Sequence, residues 1–234
     1  MGLPTINVPT YRLTVPSTKE EITFRPFLVK EEKILLLALE DGNDKSLAIA
    51  LKQIVHNCTF EKLTVDTLPI FDLEFMFLRI RSKSVGEVAE LKLLCEDDGE
   101  TYADVTIPLE EIEVKFPDGH SSEIKLNDEV TMTMAYPTFE LLGSDMPTLD
   151  VEKTFDLIGS CISQVIEGEN VYEKQDWSKK ELKEFLDSLT SKQFQDVQGF
   201  FESMPKLSYE VKFQNPKTKK KNTVTLEGLQ SFFV

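Results

Sequence analysis

Leu207-Ser208-Tyr209-Glu210-Val211-Lys212-Phe213, Asn215-Pro216-Lys217-Thr218-Lys219-Lys220-Lys221 and Thr223-Val224-Thr225-Leu226-Glu227-Gly228-Leu229-Gln230-Ser231-Phe232-Phe233-Val234 follow one another at the end of this chain. Two runs of alternating polarity flank an Asn-Pro turn, which predicts an antiparallel β-hairpin. The closing Leu-x-x-Phe-Phe-Val is stable only when packed, whereas chain ends left in water are polar and frayed. Leu229, Phe232 and Phe233 are therefore candidate partner contacts. Packing against their own domain is the preferred alternative. The lysine run is the one local basic patch, and Lys219 and Lys220 on a hairpin tip are candidate contacts for an acidic partner. A solvated turn that discourages edge-to-edge strand pairing is the plainer reading.

Upstream of this hairpin, helical patterns cover residues 151–166, 178–189 and 191–204, the second opened by the capping box Ser178-x-x-Glu181. Before them, residues 143–147 suggest a boundary, dividing the chain into 1–143 and 144–234. Period-two stretches at 88–95, 102–109, 112–116, 123–126 and 130–134, separated by Asp98-Gly99, Asp118-Gly119 and Asn127-Asp128, predict antiparallel hairpins with one wet face. Nearer the start, 11–15 and 21–24 alternate about Pro16-Ser17-Thr18, and helical patterns occupy 29–39, 45–57 and 70–81. The run Ile34-Leu35-Leu36-Leu37-Ala38-Leu39 is apolar almost all round, so this helix is expected to be buried on most sides. Asp66-Thr67-Leu68-Pro69 reads as an N-cap region with Pro in the first turn. The fold class is α+β, helical segments with antiparallel hairpins, in two loosely similar halves. Val105-Thr106-Ile107-Pro108-Leu109-Glu110-Glu111-Ile112 closes the hairpin of the first and Val224-Thr225-Leu226-Glu227-Gly228-Leu229 that of the second.

With 234 residues, 41% of them hydrophobic and 16 of them Phe, the chain can fill a sizeable core. A formal charge of −15 argues against a protein whose task is gripping nucleic acid. No apolar run approaches the ~20 residues needed to span a bilayer. The opening residues predict no signal peptide. Cys58, Cys95 and Cys161 are odd in number and widely spaced, which fits a reduced compartment.

Chemistry-bearing motifs are scarce. The Gly-x-Ser-x-Gly, phosphate-loop and His-Glu-x-x-His patterns are absent, and no catalytic or cofactor-binding residue is predicted. His56 and His120 stand apart from any carboxylate or cysteine at a suggestive spacing. Cys95-Glu96-Asp97-Asp98-Gly99 has the outline of a zinc knuckle without its second cysteine, so no metal site is expected. Asp97 and Asp98 read as turn residues.

Gly2-Leu3-Pro4-x-Ile6-Asn7-x-Pro9-Thr10-Tyr11 and the stretch Arg25-Pro26-Phe27-Leu28-Val29-Lys30-Glu31-Glu32-Lys33-Ile34-Leu35 resemble the opening of T4-like bacteriophage baseplate hub subunits. The resemblance continues through Cys58-Thr59-Phe60, Phe71-Asp72-Leu73-Glu74-Phe75-x-Phe77-Leu78 and Arg79-x-Arg81-Ser82-Lys83-Ser84-Val85-Gly86-Glu87, and on to the terminal segment. It implies a non-enzymatic structural or assembly part at the hub of a contractile tail's baseplate, without cofactors. The alternatives are a transient hub-assembly chaperone absent from the mature virion, and a cytosolic binding module or enzyme whose site the sequence hides. It further implies other hub and tail proteins as partners. The place implied is the virion tail baseplate, or the host cytoplasm during assembly.

Overall fold

A computed structural model describes residues 6–142 and 151–232. In chain order its elements are β1 (Tyr11–Thr14), β2 (Glu21–Phe24), α1 (Val29–Asp41), α2 (Asp44–Cys58), α3 (Ile70–Ser82), β3 (Val88–Leu94), β4 (Tyr102–Pro108) and β5 (Glu113–Lys115). There follow β6 (Glu123–Lys125), β7 (Val130–Met134), α4 (Phe139–Leu142), α5 (Val151–Ser160), β8 (Ile162–Glu167), β9 (Asn170–Glu173), α6 (Lys179–Asp187) and α7 (Ser191–Glu202). The hairpin β10 (Lys206–Gln214) and β11 (Lys221–Glu227) closes the chain. All paired strands are antiparallel and lie in small sheets, an α+β architecture.

Packing divides the chain into two units, Met1–Lys115 with Lys206–Val234, and Phe116–Pro205. The boundary anticipated at 143–147 falls outside the described residues. The terminal hairpin groups with the first unit, not with the helices that precede it in sequence.

The first unit is built around α3. Phe71, Leu73, Met76, Phe77, Leu78 and Ile80 are all buried, so this helix is apolar around most of its circumference. Its N-cap is Pro69, three residues after the Asp66 that opens the expected cap region, and Val65–Thr67 forms a separate 3-10 turn. Burial of each such side chain contributes roughly 1.5–3 kcal/mol. The all-round burial expected of α1 is found here instead. Residues 109–111 and 229–232 form two further 3-10 turns, each following the second strand of a hairpin. Leu109 and Ile112 after β4, and Leu229 and Phe232 after β11, are buried at the same three-residue spacing. The repeated Val-Thr-(Ile/Leu) sequence thus marks a repeated local structure.

β10 pairs on one side with β11 and on the other with β5, where Leu207 faces Val114. The strand at 113–115 therefore finds its partner near the end of the chain, not in a hairpin with its successor. Three hairpin turns share one geometry. Lys19 donates from its backbone to Val15, Gly99 to Cys95 and Lys219 to Asn215, at 2.9, 2.9 and 3.0 Å. The donor is left-handed each time, with φ of 61°, 67° and 63°. Only the middle turn places glycine there, where the conformation is free of strain.

In the second unit β6, β7, β8 and β9 form a four-stranded sheet in that order. The helix expected at 151–166 stops at Ser160, and residues 162–167 instead pair with β7. Gly159 and Ser160 are poor helix formers, and Ile162, Val165 and Ile166 favour a strand. Gly168, at φ 58°, turns the chain into β9. The core contains Ile124, Met132, Met134, Ile158, Ile162 and Leu186, joined by Val197 and Phe200 from α7.

Candidate functional site

The surface with most to offer a partner is α1. The sequence Arg25-Pro26 ends the first hairpin, and Glu31 reaches back to accept a 2.9 Å bond from the Leu28 N–H at the helix start. Glu31 is fully buried, and Arg25 meets both its oxygens, at 3.3 and 3.1 Å. Asn57 of α2 adds a 3.3 Å bond. Burial would push the Glu31 carboxyl up, but the hydrogen bonds from Arg25 and Leu28 and the charges of Arg25 and Lys30 hold it below the usual carboxylate range. This ion pair fixes the direction in which α1 leaves the hairpin. Gly42, left-handed at φ 62°, ends the helix.

Held in this way, α1 packs chiefly on α2. Glu31 and Ala38 are its buried residues, and Ile34 and Leu35 are half-buried. Turning 100° per residue, Val29 and Leu36 lie opposite that buried side, with Leu37 and Leu39 to either flank. They are 79%, 56%, 52% and 56% exposed, respectively. The expected burial of this helix is therefore corrected. Its leucines outnumber what one packed face can cover, and the surplus faces water. Exposed apolar residues gathered on the solvent side of a helix, here with Lys33 and Glu40 between Leu36 and Leu37, offer a site of protein contact.

The C-terminal residues behave in the opposite way. Leu229 and Phe232 are 5% and 1% exposed, packed in their own unit. The Leu229 N–H donates 3.3 Å to Glu74 of α3, a carboxylate placed at the electropositive start of the 3-10 turn. Burial raises the Glu74 carboxyl, and the Leu229 N–H partly offsets this. Arg79, a turn further along α3, donates to the Leu109 and Ile112 carbonyls at 2.7 and 2.8 Å. One helix thus holds both 3-10 turns, one by an anion and one by a cation. Leu229 and Phe232, expected as candidate partner contacts, have their apolar surface occupied by their own fold. Phe233 lies outside the described residues.

Lys219 and Lys220 are exposed, as expected, on a turn braced from within. Asn215, fully buried, accepts from the Lys217 and Thr218 N–H groups at 2.8 and 3.1 Å and donates to Asp97 and Asp98 at 2.9 and 3.0 Å. Asn222 donates to Asp97 at 2.9 Å and receives its N–H at 3.1 Å. The β3–β4 turn and the β10–β11 turn therefore clamp each other. Bonds from Thr218, Asn215 and Asn222 hold Asp97 below its ordinary range, and Thr101 and Asn215 do the same for Asp98. Their oxygens face amide and hydroxyl donors, an arrangement for rigidity and not for a cation. Cys95 beside them has its thiol pushed up by burial, and no three potential ligands cluster among the described residues.

His120 lies 2.9 Å from Ser203 and 3.1 Å from Tyr136 through its two ring nitrogens, with its ring beside those of Tyr136 and Phe200. The Ser203 hydroxyl donates to the Gly199 carbonyl at 2.6 Å, so it accepts from Nδ1–H, and Nε2 accepts from Tyr136. A serine whose proton is aimed at a backbone carbonyl is not being activated by the imidazole, and no carboxylate among the described residues orients the ring. Burial lowers the His120 pKa and favours the neutral form. This cluster anchors the turn after β5. Sequence spacing gave no signal of it, because Tyr136 and Ser203 come from distant segments. Burial pushes the Cys58 and Cys161 thiols up to about 12, away from nucleophilic use. A groove of about 410 Å³ beside β1 includes Tyr11, Phe75, Arg79 and Lys83. Its cations are already engaged, Arg12 by Glu21, Arg79 by carbonyls and Lys83 by Glu87 and Glu110. No helix among the described residues is long and apolar enough to cross a membrane.

Residues 8–234 match the family described as T4 bacteriophage base plate protein. No curated protein and no solved structure matches the chain.

Proposed function

The chain belongs to the T4 bacteriophage base plate protein family, and from that premise we propose that it is a structural part of the central hub of a contractile tail's baseplate. It works by protein–protein contact and performs no reaction of its own. The observation that carries this reading is the exposed apolar face of α1, Val29, Leu36, Leu37 and Leu39, on a helix whose direction is fixed by the buried Arg25–Glu31 pair. A neighbouring hub or tail subunit covering that face would gain roughly 25 cal/mol for each Å² of apolar surface removed from water. A catalytic protein would instead need a concave site with converging polar groups, whereas His120, Asp97 and Asp98 are each engaged in hydrogen bonds of the fold.

A second reading makes the same face a transient docking surface on an assembly factor that leaves before the particle is complete. Quantifying the chain in purified tails separates the two. A fixed stoichiometry relative to other tail proteins is the expected result. Presence in infected-cell lysates but not in purified tails establishes the transient role instead.

A further inference from the structure

The charge of this chain is unevenly spread. Unit 116–205 carries 18 acidic against 7 basic residues, while the terminal segment 206–234 carries 6 lysines against 2 glutamates. Four of those lysines, Lys217, Lys219, Lys220 and Lys221, stand exposed on the β10–β11 turn, and none has an ion-pair partner among the described residues. The nearest carboxylates, Asp97 and Asp98, are occupied by Asn215, Asn222, Thr218 and Thr101. The clamp therefore does two things at once. It makes the tip rigid, which lowers the entropy lost on docking, and it leaves the ammonium groups uncompensated.

In the acidic unit the β6–β7 and β8–β9 turns lie at one end of the sheet, where the Gly168 N–H donates to the Glu129 carbonyl and Val130 pairs with Glu167. Asp128, Glu129, Glu167 and Glu169 are exposed there, and Lys125 pairs with Asp128 alone. We propose that the lysine tip of one copy docks on this acidic end of the sheet of a second copy, a head-to-tail contact between like chains. The tip and the sheet end are different patches, so the contact is heterologous and can continue from copy to copy until it closes. Exposed ion pairs are individually weak, so the contact draws its strength from several pairs acting together. At physiological ionic strength the Debye length of about 8 Å screens the repulsion between two acidic chains but leaves close pairs attractive. The inference rests on charge and turn geometry, independent of baseplate membership.

The test is zero-length carbodiimide cross-linking of an equal mixture of isotopically light and heavy full-length chain, at about 1 mM protein and physiological salt. Light-to-heavy peptides joining Lys217, Lys219, Lys220 or Lys221 to Asp128, Glu129, Glu167 or Glu169 are expected. They should fall at least tenfold in Lys219→Glu with Lys220→Glu, and return when that variant is mixed with Glu167→Lys with Glu169→Lys. All four positions are exposed, so unchanged melting checks that the variants fold. Cross-links confined to single chains, or tip cross-links indifferent to charge reversal, overturn the proposal. Retention of the chain on duplex DNA that the lysine substitutions abolish, without copy-to-copy links, overturns it in favour of nucleic acid. Stoichiometric incorporation into tails is read separately, so either idea can fail alone.

Discussion

Two apolar stretches of this chain meet opposite fates. Residues 34–39 form the most leucine-rich run in the sequence, yet α1 leaves Leu36, Leu37 and Leu39 more than half exposed. The C-terminal Leu-x-x-Phe, an apolar chain end, buries Leu229 and Phe232 almost completely. The difference lies in what each stretch is given to pack against. α1 has α2 as its main neighbour and can hide one face. The 3-10 turn at 229–232 follows a hairpin joined to β5 and is held on α3 by Glu74. Apolarity sets how much surface wants cover, and the neighbouring elements decide whether the chain itself supplies it.

The largest expected effect comes from breaking the buried member of the comparison. Phe232→Ala should cost about 3–5 kcal/mol through lost transfer energy and the cavity it leaves, measured by denaturant unfolding. A loss below about 1 kcal/mol would mean the tail is not part of the core. Next in size is Asn215→Ala, which removes the centre of the clamp between the two hairpin turns. Its cost should be about 2–3 kcal/mol, since two backbone N–H groups and two carboxylates lose a partner. It should also raise amide exchange in both turns, at residues 96–99 and 217–220.

A smaller effect sharpens the role of Glu74. Its carboxyl is raised by burial in the folded chain, so the fold binds that proton more tightly than the unfolded chain does. The stability it contributes is present below the unfolded carboxylate value and is lost as pH rises through the raised one. Glu74→Gln keeps an acceptor for the Leu229 N–H and removes the titration. The stability of this variant relative to the natural chain should therefore rise between pH 4 and pH 7, as read from unfolding midpoints. A constant difference would place Glu74 in water.

Much of the fold was legible because it is local. The hairpins around Pro16, Asp98-Gly99 and Asn215-Pro216 and the capping box at Ser178 announce themselves through alternation and turn chemistry. So did the repeat that places Leu109 and Leu229 alike. The strands at 162–173 were hidden because helical α5 runs straight into them, and the local signals at Gly159-Ser160 and Ile162 are completed by pairing with β7. Contacts distant in sequence were illegible for the same reason. Asp97 and Asn222, 125 residues apart, show no pattern that joins them. In the candidate site, the leucines of α1 were visible as apolar residues but their exposure was not. That depends on α1 having one main packing partner, a property of the assembled unit.

The smallest expected effect on stability belongs to the exposed member of the comparison, and it carries the central claim. Leu36→Glu with Leu39→Glu should change unfolding free energy by no more than about 0.5 kcal/mol for each site. The decisive measurement is the number of copies of this double variant per purified tail, produced in place of the natural chain, beside its melting curve. Normal melting with the variant absent or strongly depleted from tails is the predicted result. Full incorporation at the natural stoichiometry would show that α1 is not the docking face and contradict the account.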